Sequence, residues 1–71
     1  MNLIDIGYGN AINGGRIIAV VSAEAAPVKR LITAAREKNL LVDATCGKKT
    51  KGVYVMDSGH VILSAKENKH D

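Results

Sequence analysis

Tryptophan and phenylalanine are absent from this chain of 71 residues, and two tyrosines make up its aromatic content. A sheet that stacks bases on paired aromatics, as RRM domains do, is therefore not expected. Cys46 is the only cysteine, which rules out an intrachain disulfide. His60 and His70 are the only histidines and neither sits in a ligand-spaced cluster, so no metal site is expected. The longest apolar run, Ile17 to Val21, falls far short of the roughly 18 residues a membrane span needs. The N-terminus shows no basic region followed by an apolar stretch, so no signal peptide is expected. A lone cysteine without an export signal fits the reducing cytoplasm, where we expect the protein to reside.

What the chain does have is aliphatic bulk and positive charge. It is 46% hydrophobic and carries a formal net charge of +3. The charge favours a polyanionic partner. A domain this short buries only about 60% of the surface its unfolded chain exposes. With disulfides and metals set aside, association into a homo-oligomer is the expected way to complete the core.

The hydrophobic pattern predicts an α+β fold, in the order β-β-α-β-β-β. Ile4, Ile6 and Tyr8 alternate with polar or small residues over Leu3 to Tyr8, as on a half-buried strand. A Gly and Asn cluster follows, and Asn13-Gly14 suits a turn leading into an antiparallel partner, Ile17 to Val21, apolar on both faces. Pro27 marks a helix start, since a first turn leaves its N–H unused. Val28, Leu31, Ile32 and Ala35 recur at helical spacing, and Asn39 suits a left-handed cap. Strands are expected at Leu40 to Cys46, Val53 to Met56 and His60 to Ala65, forming a small, mostly antiparallel sheet with the helix on one face. The domain is placed at residues 1–66, with a frayed charged tail over 67–71. One helix cannot cover both faces, so the bare face or an edge is expected to pack on another subunit.

The segment Gly47-Lys48-Lys49-Thr50-Lys51-Gly52 carries the strongest chemical signal, three lysines within four residues between two strands. It reads either as a phosphate contact, with Thr50 and loop amides adding hydrogen bonds, or as a solvated hairpin loop. Its likeness to the end of a P-loop fails, because Val42 stands where the leading glycine belongs and no helix follows. Gly7-Tyr8-Gly9-Asn10 looks like half of a dinucleotide fingerprint, but its glycines read better as a bulge or tight turn. Asn10 and Asn13 can bond their own backbone. Arg16, at a strand mouth, is either a phosphate or base-edge ligand or a surface arginine paired with Asp5 or Asp57.

Catalytic residues are not expected. Asp43, Asp57, Glu24 and His60 are the only candidates for acid–base work, and turn chemistry accounts for Asp57-Ser58-Gly59. Adjacent side chains on so tight a turn are not expected to meet. Cys46 reads as a small apolar strand residue. No cofactor and no small-molecule substrate are expected.

Several stretches together resemble the RemA-type regulators of extracellular matrix genes. They are Leu3-Ile4-Asp5-Ile6-Gly7-Tyr8-Gly9-Asn10, Arg16-Ile17-Ile18, Val21-Ser22, Ala26-Pro27-Val28-Lys29-Arg30-Leu31-Ile32, Ala35-Arg36, Val42-Asp43-Ala44-Thr45-Cys46-Gly47, and Val55-Met56-Asp57-Ser58-Gly59-His60-Val61-Ile62-Leu63-Ser64-Ala65. The resemblance implies a transcriptional regulator of biofilm matrix production, with a LytTR-like fold, that binds double-stranded DNA as a ring of subunits. It implies DNA contact at Arg16 and in the loop holding Lys48 and Lys49, to which the residue pattern adds Thr50 and Lys51. Lys48 and Lys49 replace arginines of the family, and Cys46 replaces a tyrosine. Lysine keeps the charge but loses the planar fork that reads guanine. The alternative is an oligomeric scaffold that binds a protein or acidic ligand without DNA.

Overall fold

In the computed structural model, which describes residues 2–66, the chain forms six strands and one α-helix. Strands β1 (Leu3–Gly7) and β2 (Asn10–Asn13) make an antiparallel hairpin. A single 3-10 turn, Gly14–Arg16, leads into β3 (Ile17–Val21). Helix α1 (Ala26–Glu37) follows, then β4 (Leu41–Asp43), β5 (Gly52–Met56) and β6 (Val61–Ser64). The main sheet has the order β3-β5-β6-β4, with β4 parallel to β6 and the other pairs antiparallel. The α+β class and the single helix stand as expected. The tail over 67–71 lies outside the described residues.

The main sheet is covered on both sides, which corrects the expectation of a bare face. On one side Val28 and Ala35 of α1 pack on Val53, Val61 and Leu63, with Leu31, Ile32, Leu40 and Leu41 around them. On the other, the hairpin lays Ile6 on Ala44, Tyr54 and Ile62, joined by Ile4, Ile12, Ile17 and Met56. Alternation along β5 and β6 feeds both layers, since odd residues Val53, Val61 and Leu63 face the helix and even residues Tyr54 and Ile62 face the hairpin. The hairpin is pinned by the buried Ser64, whose Oγ donates to the Ile6 carbonyl at 2.8 Å.

The first chain reversal also differs from the sequence expectation. It falls at Tyr8-Gly9, where both residues have positive φ (54° and 78°), so β1 pairs with β2 rather than with Ile17–Val21. Two consecutive left-handed residues match the right-handed strand twist of a two-residue hairpin. Gly7, with φ 95°, takes up a bulge beside this turn. The side chain of Asn13 accepts from the Gly15 amide at 3.0 Å, so the Asn13-Gly14 signal belongs to the 3-10 turn. Strand β3 is an edge strand rather than a strand buried on both faces. Ile18 stays 67% exposed and Val20 38%.

Helix α1 begins one residue before Pro27 and ends as the sequence suggests. Asn39 takes φ 60°, its amide donates to the Arg36 carbonyl, and the Leu40 amide reaches back to Ala35 at 2.8 Å. This pair of bonds is a Schellman closure. Strand β4 stops at Asp43, shorter than expected. The Asp43 Oδ1 accepts from both the Thr45 amide (2.9 Å) and the Thr45 hydroxyl (2.6 Å), turning the chain out of the sheet. Cys46 is consequently no strand residue. It is exposed in the turn, with φ 53°, and Gly47 follows at φ 80°.

Candidate nucleic-acid interface

Sheet topology decides which of the candidate side chains can act together. Strand β3 runs antiparallel to β5, with Val21 opposite Val53 and Ile17 opposite Met56. The lysine segment precedes β5 and so lies at the Val21 end, whereas Arg16 lies at the Ile17 end. Lys48, Lys49, Thr50 and Lys51 are thus brought together, and Arg16 stands apart from them by the length of a strand. Five residues at about 3.3 Å each make that separation roughly 17 Å.

The lysine segment is tied down at both ends by its backbone. The Lys48 amide donates to the Thr45 carbonyl at 3.0 Å, and the Lys51 amide donates to the Ser64 carbonyl at 2.8 Å. Lys48, Lys49 and Lys51 are exposed, and Thr50 is half-buried. The segment faces the corner between β3 and α1, and Ser22, Ala23 and Glu24 join Lys49, Thr50 and Lys51 around an open cleft of about 260 Å³. Lys49 Nζ lies 3.9 Å from Glu24 Oε1, both groups being well exposed. Such a contact in water is weak and gives way easily to another anion. With the other described residues, Lys48 and Lys51 form no ion pair.

The places of two further residues, Lys66 and Tyr8, were not legible in the sequence. Lys66 bonds Asp5 Oδ2 through Nζ at 3.0 Å, and Asp5 Oδ1 accepts from the Gly7 amide. The Gly7 amide first, and Lys66 second, hold the Asp5 carboxyl below its usual range. This pair ties the tip of the β1–β2 hairpin to the end of β6. Tyr8, expected on the inner face of a strand, stands at that tip and is 56% exposed.

At the far end, Arg16 Nη1 donates to Asp57 Oδ2 at 2.8 Å. Of the two readings of Arg16, the structure shows the paired surface arginine, with Asp57 rather than Asp5 as partner. Ser58 and His60 do meet across their turn, contrary to expectation, with Oγ 2.6 Å from Nδ1. The carboxylate beside them is turned to Arg16. Among the described residues, no group of three or more His, Cys, Asp or Glu is placed to hold a metal ion. Nor is any helix there long and apolar enough to cross a membrane.

The fold and this cationic end define a small α+β protein that presents lysines from a fastened loop. Sequence comparison places it more closely. The profile of the RemA-like family, described as Extracellular matrix regulatory protein A-like, matches residues 3–70, and the chain belongs to that family. A provisionally named regulatory protein of Halothermothrix orenii is 58% identical over 65 residues, covering 92% of this chain and 77% of that protein. Similar proteins, likewise provisionally named as regulatory, occur in Brevibacillus brevis (57% identical, 92% of this chain and 76% of that protein) and Trichormus variabilis (55%, 92% and 74%).

Proposed function

We propose that this protein is a cytoplasmic, oligomeric regulator of transcription that holds double-stranded DNA by its phosphates, on a LytTR-related fold. Within the family its targets are genes of the extracellular, biofilm-forming matrix. The observation that carries this reading is the loop Lys48–Lys51, whose backbone is bonded to Thr45 and Ser64 while its lysines point into water. Lysines on a fixed backbone meet phosphates with little further ordering. Lysine in place of arginine favours a holder of backbone over a reader of bases.

Arg16 enters this reading through length. The 17 Å or so along β3 corresponds to about five base-pair steps at 3.4 Å each, so a duplex lying along the strand reaches both ends. Neighbouring subunits offer a second route, since both edges of the main sheet expose aliphatic residues, Ile18 and Val20 on β3 and Val42 on β4. Joined through such edges into a ring, weak single contacts would act together on one duplex.

The test is duplex titration across a salt series with wild type and a Lys48→Ala/Lys49→Ala variant. Each phosphate that the variant no longer neutralises should lower the slope of log affinity against log salt by about 0.9. An unchanged affinity and slope would remove the loop from the interface. The exposed edges alone also suit a scaffold that assembles without DNA. Light-scattering mass with and without duplex separates the two, because a scaffold forms assemblies that retain no duplex.

A further inference from the structure

We propose that Tyr8 is a second kind of nucleic-acid contact, laying its ring against an exposed nucleobase or deoxyribose face while the neighbouring lysines hold phosphate. This rests on the DNA-binding reading above and names a residue that charge alone does not point to.

The turn at Tyr8-Gly9 requires positive φ at both positions, 54° and 78°. Asn-Gly and Asp-Gly satisfy that geometry with least strain, whereas a bulky aromatic there is a backbone outlier. The ring regains little by burial, since 56% of the residue remains exposed. An unfavourable residue that leaves more than half of its surface in water points to a role outside the fold.

The surroundings indicate which role. The tip is held rigid: Asn10 Nδ2 donates to the Gly7 carbonyl (3.2 Å) and the Tyr8 carbonyl (3.4 Å), and the Gly7 amide donates to Asp5 at 2.8 Å. Lys66 joins the tip to the lysine loop. A Cβ on Gly7 would sit 3.7 Å from Lys66 Cβ, and one on Gly52, the residue after Lys51, would sit 3.5 Å from the Lys66 carbonyl oxygen. The backbone of the tip therefore lies against Lys66, which in turn adjoins Gly52 at the end of the lysine loop. Lysines that track the phosphates, with an aromatic that stacks on a base or sugar, form the usual pairing in sequence-tolerant nucleic-acid sites. An apolar protein partner fits less well. Polar side chains at the tip include Asp5, Asn10 and Lys66, whereas the exposed aliphatic residues Ile18, Val20 and Val42 lie on the main-sheet edges and Leu3 at the opposite end of the hairpin.

The experiment compares wild type, Tyr8→Asn and Tyr8→Phe for binding to a labelled duplex and to one of its single strands. Tyr8→Asn relaxes the turn, so its melting temperature should rise while affinity falls roughly tenfold. Its salt slope should stay at the wild-type value, because the lysines neutralise the same phosphates as before. Tyr8→Phe keeps the ring and should bind as wild type does. A larger loss on the single strand identifies base stacking, and a larger loss on the duplex identifies a groove contact. Tyr8→Asn binding as tightly as wild type overturns this inference alone. A flattened salt slope, or a changed assembly mass, also overturns it, by showing that Tyr8 positions lysines or joins subunits. Wild type that retains neither duplex nor single strand removes the DNA-binding reading and this inference with it.

Discussion

Arg16 and Asp57 are joined twice, through a side-chain bond of 2.8 Å from Nη1 to Oδ2 and through the Asp57 amide, which donates to the Arg16 carbonyl at 2.8 Å. The backbone bond fixes the corner where β3 begins and β5 ends. The side-chain bond raises the Arg16 pKa above its usual value and occupies one guanidinium nitrogen. Both side chains are largely in water, so their attraction adds little to stability.

In the proposed role of Arg16 as a phosphate contact, Asp57 is the competitor that phosphate must displace. Asp57→Asn should tighten duplex binding and steepen the salt slope by about 0.9 for each further phosphate neutralised. The melting temperature should hardly change. If affinity stays constant across the salt series, Arg16 has no place in the interface.

Ser64 joins the two sheets. Its buried hydroxyl donates to the Ile6 carbonyl and accepts from the Lys66 amide at 3.0 Å. Ser64→Ala leaves the carbonyl without that partner, at a cost of about 1–3 kcal/mol in urea unfolding. Hydrogen exchange should accelerate in β1 and β2 more than in β5.

Among the glycines, Gly14 leaves the least room for a side chain. A Cβ there would come within 2.9 Å of Ile4 Cδ1 and 3.0 Å of Asn2 Nδ2, and the Gly14 amide already donates to the Asn2 carbonyl at 2.6 Å. Gly14→Ala should therefore destabilise by about 1–3 kcal/mol, as overpacking does. Gly15→Ala meets only Asn13 Oδ1, at 3.3 Å, and serves as the milder comparison in the same thermal melts.

Acid sensitivity should come from two carboxylates. Bonds from the Thr45 hydroxyl and amide hold Asp43 below its ordinary pKa, against an opposing effect of burial and with a smaller contribution from Arg36. Asp5 is lowered by the Gly7 amide and Lys66. The folded state thus binds these protons less readily than the unfolded chain, whose carboxyls titrate at about 3.9. Their contribution is complete above that value and disappears as pH falls through the lower folded values. Melting temperature should be flat from about pH 7 to about pH 5 and should fall below about pH 4. Asp43→Asn should shallow that fall, and an identical acid limb in the variant would exclude Asp43 as a source of it.

Local sequence determined much of this protein. The apolar, β-branched runs Val53-Tyr54-Val55-Met56 and Val61-Ile62-Leu63 marked two strands, Pro27 and Asn39 bracketed the helix, and the crowding of Lys48, Lys49 and Lys51 marked the loop, because local composition, capping and charge density are properties of neighbouring residues. Only tertiary structure decided the rest. Asn13-Gly14 was the stronger turn signal, yet the reversal fell at Tyr8-Gly9, which allowed β1 and β2 to close into a hairpin and cover the second sheet face. Strand pairing set Arg16 at the opposite end from the lysines and turned Asp57 toward it, away from the touching Ser58 and His60. It also set Gly7, the residue before Tyr8, against Lys66. Gly7 and Lys66 meet there only because β1 is bonded to β6 through Ser64, a non-local contact that no pattern of neighbours encodes.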